Sequence, residues 1–395
     1  MLCGQPPGRG RFWGVMVVEA VTPVAGRRHR PPQRRRARGL SSWAPREGSL
    51  TATILIMVAL VAGVGCGRAP RRIPYIPPDL ANWSDTYRGP EGLRLHVFET
   101  TGSLAPPGGL LGGSWLEPAT LEVPAFLIEH PRAGLIVVGT GLAPALGVSP
   151  EKHLGWFLAS VAKATAKEGQ DLVSQMKRAG FAPEKVRRLI LPDCRFPQTG
   201  QITGFSQAEV SATEAERVWA LRAGASSAVR RDDVLAVRRW ETIDFGDAKP
   251  VGTFSRAKDL LGDGSVLLID APGYTPGTMA VLVRLVRGPV ILAGGVAPLA
   301  RTLRTPVVPA VAADADRWWD SAWRLKRLRE LAVGLVVVPG FEKSALDADG
   351  RSDVRVHRTE RVRETEPHPS RGGQRREQPS FPVQDPPTSP PPLGR

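Results

Sequence analysis

An α/β fold of β-sheets covered by helices is what this 395-residue sequence predicts, on three observations. Segments with the two-residue alternation of strands interleave with segments of helical periodicity in the order ββ-α-β-α-βββ-α-β. Hydrophobic residues make up 42% and charged residues 23%, near the globular average, so the chain can bury a core and is neither wholly disordered nor polytopic in a membrane. With 3 cysteines in such a length, the fold must rest on packing and not on disulfides.

The elements follow in chain order. Residues 93–99 (LRLHVFE) alternate apolar and polar, as a strand with one buried face does. Residues 125–129 and 134–138 flank His130-Pro131-Arg132-Ala133 and read as a β-hairpin. Residues 151–179 carry Leu154, Phe157, Leu158, Val161, Leu172 and Met176 at helical spacing. Residues 186–191 (VRRLIL) form a strand that runs into an irregular loop, and residues 214–221 a second helix. Gly/Pro turns then separate short strands at 266–269, 279–285 and 290–292. A last helix, 314–332, bears Trp318, Trp319 and Trp323, expected to pack in the core or at an interface, and feeds a strand at 334–338.

The formal charge of +15 suggests a nucleic-acid partner until it is divided by region. Residues 1–50 hold ten Arg against two acids and residues 351–395 nine Arg against six, leaving 34 bases against 30 acids between them. The folded part is nearly neutral, so no nucleic acid is expected as its partner. Five regions result. Residues 1–50 are an Arg/Pro-rich disordered leader or lie before the true start, 51–66 a signal-type apolar run and 67–85 a linker. Residues 86–365 are the folded domain, and 366–395, with nine Pro, a disordered tail.

The run 51–65 (TATILIMVALVAGVG) is shorter than the roughly 20 residues of a spanning helix and has small residues directly before Cys66. It resembles a bacterial lipoprotein signal, although Gly63 stands where that signal usually has Leu. The resemblance implies lipidation of Cys66 and an exported protein attached to a membrane through that lipid, on the periplasmic or surface side. An uncleaved short anchor and a buried core segment are the alternatives.

Four motifs punctuate the folded part. They are Val123–Ile128 leading to Gly139-Thr140-Gly141; Leu189–Gly200 (LILPDCRFPQTG); Pro272-Gly273-Tyr274-Thr275-Pro276-Gly277 followed by Leu292-Ala293-Gly294-Gly295; and Val338-Pro339-Gly340-Phe341-Glu342. Together they resemble the metallo-β-lactamase superfamily, and within it the lactonase-like hydrolases, over about residues 90–360. The resemblance implies an αββα sandwich of two mixed sheets flanked by helices. It also implies two zinc ions held by His and Asp that activate a water.

The motifs depart from that pattern where the chemistry resides. The family's Asp-Thr-Gly begins here with Gly139, and the positions of its Thr-His-x-His-x-Asp-His signature hold Asp193, Arg195, Pro197 and Gln198. Tyr274 replaces the next His, Gly295 the bridging Asp, and Phe341 the last His, with Glu342 beside it. None of the six histidines falls in a motif. A guanidinium about 4 Å from a divalent ion costs about 8 kcal/mol at an effective dielectric of about 20, and no dense carboxylate set offsets it. The expectation is therefore no catalytic residue, no metal and no cofactor: a pseudoenzyme with a binding or scaffold role. A divergent lactone or ester hydrolase using Asp193, Tyr274 and Glu342 is the alternative. Asp193 and Arg195, two apart, are expected to form an ion pair, Ser265 to lack a His–Asp pair, and Cys194 to be a plain buried residue.

Because an acyl chain contributes about 0.8 kcal/mol per buried CH₂, Cys66→Ser is expected to move the protein from the membrane pellet to the soluble fraction on cell fractionation. Retention in the pellet would make the apolar run itself the anchor.

Overall fold

The computed structural model describes residues 71–84, 87–342 and 351–357, which belong to one compact unit beginning at Arg71. Cys66, the leader and the Pro-rich tail lie outside the described residues. No helix among those described is long and apolar enough to cross a membrane.

Two sheets face each other. The strands are β1 (Arg94–Leu104), β2 (Leu121–His130), β3 (Gly134–Val138), β4 (Thr165–Ala166), β5 (Val186–Ile190), β6 (Glu209–Thr213), β7 (Trp240–Ile243), β8 (Lys249–Val251), β9 (Phe254–Asp259), β10 (Val266–Asp270), β11 (Met279–Leu285), β12 (Gly288–Leu292), β13 (Val336–Val338) and β14 (Val354–His357). The first sheet runs β14-β1-β2-β3-β5-β6-β7 with β4 on β1, and the second β13-β12-β11-β10-β9-β8. The hairpin expected at 125–138 is the β2–β3 pair, in which His130 faces Gly134.

Side-chain alternation makes four layers of these sheets. Leu95, Val97, Ile128 and Val138 of the first sheet meet Val266, Leu268, Val281 and Val283 of the second between them. The opposite faces are also apolar. Leu127, Val137 and Leu189 pack on Leu172 and Met176 of the helix Leu172–Arg178, while Leu267, Ile269 and Leu282 pack on Leu325 and Leu328 of the helix Ala315–Leu331. Strands buried on both faces read as continuous apolar runs, as LLI in β10 and AVLV in β11 do. The architecture is the αββα sandwich.

The helical stretch expected at 151–179 is broken into Pro150–Leu154, Trp156–Ala162 and Leu172–Arg178. Gly155 at φ 79° and Lys163 at φ 45° leave helical space, and Asp171 caps the third helix by accepting from the Ser174 N–H at 2.9 Å. Part of the stretch read as a linker is packed. Ala81 bridges to Gly252, and Leu80 and Trp83 lie on the outer face of the second sheet.

The edge strand β14 pairs in parallel with β1 and is held there by an imidazole chain. His96 Nδ1 lies 3.0 Å from His357 Nε2, His96 Nε2 lies 3.2 Å from Glu129, and the His357 ring stacks on Phe98 at 4.5 Å. Burial pushes both imidazoles below their ordinary value of 6.5, and Arg355 adds to the effect on each. A hydrogen bond between two rings needs at least one of them neutral. The unfolded chain therefore takes up protons first as pH falls. This contribution is complete above the ordinary imidazole value and is lost below it. The Tm advantage of the wild type over His357→Phe is expected to narrow between about pH 7.5 and about pH 5.5.

Candidate functional site

The four motifs converge at one end of the sandwich, on loops that leave the C-terminal ends of β3, β5, β10, β12 and β13. Backbone hydrogen bonds join them: Gly139 N–H to Ile190 O (2.9 Å), Met279 N–H to Pro192 O (2.9 Å), and Ala293 N–H to Val338 O (2.9 Å). A cavity of about 380 Å³ opens beside them. Its walls are apolar, from Leu104, Leu111, Trp115, Leu121, Phe157 and Leu158, and the motif residues Arg195, Pro197, Tyr274 and Phe341 complete the lining.

Arg195 does not pair with the Asp193 side chain as expected. Its guanidinium lies 4.2 Å from the Tyr274 ring centroid and donates to the carbonyls of Tyr274 (3.1 Å) and Val311 (2.6 Å). Asp193 Oδ1 accepts the Arg195 backbone N–H at 3.0 Å, and Asp193 Oδ2 is buried with no hydrogen-bond partner. Burial raises the Asp193 carboxyl above the usual range against the opposing pull of Arg195, and burial likewise raises the Tyr274 phenol. Glu342 turns away and accepts the Ala300 N–H at 2.7 Å.

Two glycines are occupied space. A Cβ on Gly295 would lie 2.0 Å from Tyr274 Cδ1, so the aromatic ring fills the volume of any side chain there. A Cβ on Gly139 would lie 2.1 Å from Gln198 Oε1, and its φ of 62° independently favours glycine.

Relatives and solved structures bear on this arrangement. The chain is 26% identical over 231 residues to an N-acyl homoserine lactonase of Azorhizobium caulinodans, covering 57% of this chain and 83% of the relative. It is 29% identical over 168 residues to one of Rhizobium radiobacter, covering 42% and 60%. No family model matches. A solved N-acyl homoserine lactone hydrolase, described with its product bound at a catalytic metal centre, superposes with a TM-score of 0.54 at 18% identity, over 63% of this chain and 92% of that one. The chain carries the metallo-β-lactamase fold. A B. thuringiensis protein solved with N-decanoyl-L-homoserine bound at its active site superposes similarly, with a TM-score of 0.52, 18% identity and coverage of 63% and 92%.

The metallo-β-lactamase fold implies two metal ions, and the donors present do not fit them. Among the described residues no three His, Cys, Asp or Glu side chains come together as a ligand set. Asp193 Oδ2 is a lone oxygen, Arg195 places a fixed positive charge beside it, and the bridging carboxylate's volume is filled by carbon. Hard and borderline cations need several anionic or imidazole donors, and this set offers one.

Glu216, not singled out from the sequence, holds the site together. Thr213 and Glu216 have the Thr-x-x-Glu spacing of a capping box at the start of the helix Glu214–Arg222, and Thr213 Oγ1 accepts the Glu216 N–H at 3.1 Å. The Glu216 carboxylate reaches into the site instead of back to the cap. It accepts the N–H of Cys194 (2.8 Å) and of Gly277 (3.0 Å), tying two motif loops together. Burial, then Asp193, pushes its pKa up to about 7. Cys194 is buried as expected, and burial raises its thiol well above the ordinary value.

Ser265 does acquire a histidine from 135 residues away, beside an aspartate two residues before it in the chain. Its Oγ lies 3.3 Å from His130 Nε2 and donates to Asp263 Oδ1 at 2.5 Å, and His130 Nε2 lies 3.2 Å from Asp263 Oδ2. The group is not a triad. His130 Nδ1 accepts the N–H groups of Arg132 (3.2 Å) and Ala133 (2.9 Å), so the ring proton sits on Nε2, which therefore cannot take one from Ser265.

The contact between Gly295 and Tyr274 is testable by a double-mutant cycle. Gly295→Ala is expected to cost about 1–3 kcal/mol through overpacking, and much less in a Tyr274→Ala background. Urea unfolding of the four proteins gives the coupling.

Proposed function

We propose that the cleft binds a small amphipathic molecule of the acyl-lactone class, or its ring-opened acid, without dinuclear metal chemistry. The observation that carries this reading is an apolar cavity of about 380 Å³ sharing its lining with the Arg195–Tyr274 stack. The apolar walls suit an acyl chain. Arg195 and the Tyr274 phenol are the groups suited to a carbonyl or carboxylate head. The names of the relatives supply the ligand class.

A divergent lactone hydrolase is the second reading. The relatives support it more directly than they support loss of activity, because the likeness spans 83% of a lactonase. On that reading Asp193, raised by burial, and the Tyr274 phenol would supply general acid or base chemistry.

Calorimetric titration with N-acyl homoserine lactones of several chain lengths, together with a pH-indicator hydrolysis assay and elemental analysis, separates the two. Saturable binding that strengthens with chain length and weakens in Arg195→Ala, with no turnover and substoichiometric zinc, is the expected result. Turnover above the uncatalysed rate establishes the hydrolase, and absence of binding overturns both.

A further inference from the structure

The cleft opens between two apolar rims. One is the loop 107–118, closed at its base by a bridge between Pro107 and Pro118 and by the Gly108 N–H donating to Glu117 O at 2.8 Å. It carries Trp115, 63% exposed, and Leu116, 96% exposed. A Cβ on Gly109 would lie 2.1 Å from the Trp115 ring, so the indole is seated on its own loop and not in the core. The other rim is the helix Trp156–Ala162, which presents Trp156, 76% exposed, with its ring edge to face on Phe157 at 5.9 Å. Trp115 and Phe157 also line the cavity, so rims and cleft share one apolar surface.

Packing does not account for these positions. The fold buries Leu158, Ala159 and Ala162 of the same helix and leaves its first two residues, both aromatic, exposed. Soluble surfaces rarely gather large apolar side chains into one patch, and indole rings settle where an apolar layer meets a wet one, as at lipid headgroups. The chain also enters the domain at this end. Arg71 Nε donates to Asp316 at 2.8 Å and Trp319 Nε1 to Arg72 O at 3.0 Å, on the helix Ala315–Leu331, which begins four residues after Val311 of the cavity lining. Cys66 stands five residues before Arg71, and five residues span at most about 18 Å. A lipid carried at Cys66, as expected from the sequence, would therefore hold the domain by its cleft end.

We infer that Trp115, Leu116, Trp156 and Phe157 form a docking surface for a phospholipid bilayer, entering its headgroup layer with the cleft facing the lipid. The Cys66 anchor, or the apolar run before it, supplies the attachment, and the rims set which end of the sandwich meets the surface. A second copy seated on both rims would shut the cavity behind rigid protein, whereas fluid lipid leaves a route for the amphipathic molecules proposed to bind there. That last contrast rests on the function proposed for the cleft, and the exposed side chains do not.

The test uses the full chain bound to phosphatidylcholine vesicles whose acyl chains carry bromine, a short-range quencher of indole fluorescence. With 10 Trp in the chain, differences between variants give the readout, and it does not depend on a ligand in the cleft. The wild type is expected to be quenched relative to unbrominated vesicles. Trp115→Phe/Trp156→Phe, which keeps the rims apolar, is expected to lose the larger part of that quenching. Leu116→Glu keeps both indoles and is expected to reduce the quenching several-fold, because a carboxylate on the loop resists entry into lipid, while Leu116→Met retains it. All three positions are exposed, so the variants are expected to fold. Quenching that is absent, or unchanged in the double variant, overturns the proposal. So does a dimer in sedimentation equilibrium that Leu116→Glu dissociates, which assigns the patch to a second copy.

Discussion

The site depends on one buried carboxylate. Glu216 sits on the first turn of a helix that covers the first sheet, yet its two oxygens are spent on backbone N–H groups of loops that follow strands in both sheets. Buried N–H groups must find acceptors, and neither loop supplies its own. Closeness is possible only because Gly277 has no side chain: a Cβ there would lie 1.9 Å from Thr213 Oγ1 and 2.7 Å from the Glu216 backbone nitrogen. With the two loops tied, Arg195 reaches the Tyr274 carbonyl and ring, and the cavity acquires its polar end.

This anchoring is separate from the chemistry that the fold supports in its relatives. A sandwich buried on both faces of both sheets presents its loop ends as a rigid rim, and the rim residues can change without disturbing the layers beneath. Here the rim holds a guanidinium, a phenol and a phenyl ring where the resemblance implies imidazoles. The scaffold residues that form the rim's backbone, Gly277 and Gly340 among them, are retained because neighbouring backbone or side-chain atoms lie within 2.7 Å of where a Cβ would stand.

The layers were legible in the sequence where strands are apolar on both faces, as in β10 and β11, and where turns are marked by Gly and Pro. The strands β6 to β9 and β14 were not singled out. They are short and partly polar, EVSAT, WETI and KPV being examples, and long-range pairing instead of local pattern makes them strands. At the site, the substitutions could be read off the motifs one by one. What could not be read was the partner each new side chain would choose. Arg195 takes carbonyls from segments 79 and 116 residues away, and Glu216 an N–H 61 residues away. The Thr-x-x-Glu spacing of Thr213 and Glu216 is a cap signal that the sequence reading did not use, and only the fold shows that its glutamate serves a different loop.

The pairing of each vacated glycine with a large neighbour gives the site a ratchet. A carboxylate at Gly295 meets the Tyr274 ring, and one at Gly139 meets Gln198 as well as an unfavourable backbone angle. Each of these two positions is blocked by a residue, Gln198 or Tyr274, that itself stands where the resemblance implies a ligand. No single substitution at Gly139 or Gly295 therefore moves the chain toward a metal-binding arrangement without first loosening the packing. Single-step change in this region is steered toward the exposed part of the cavity wall, at Trp115 and Phe157, where a side chain can be exchanged without opening the core.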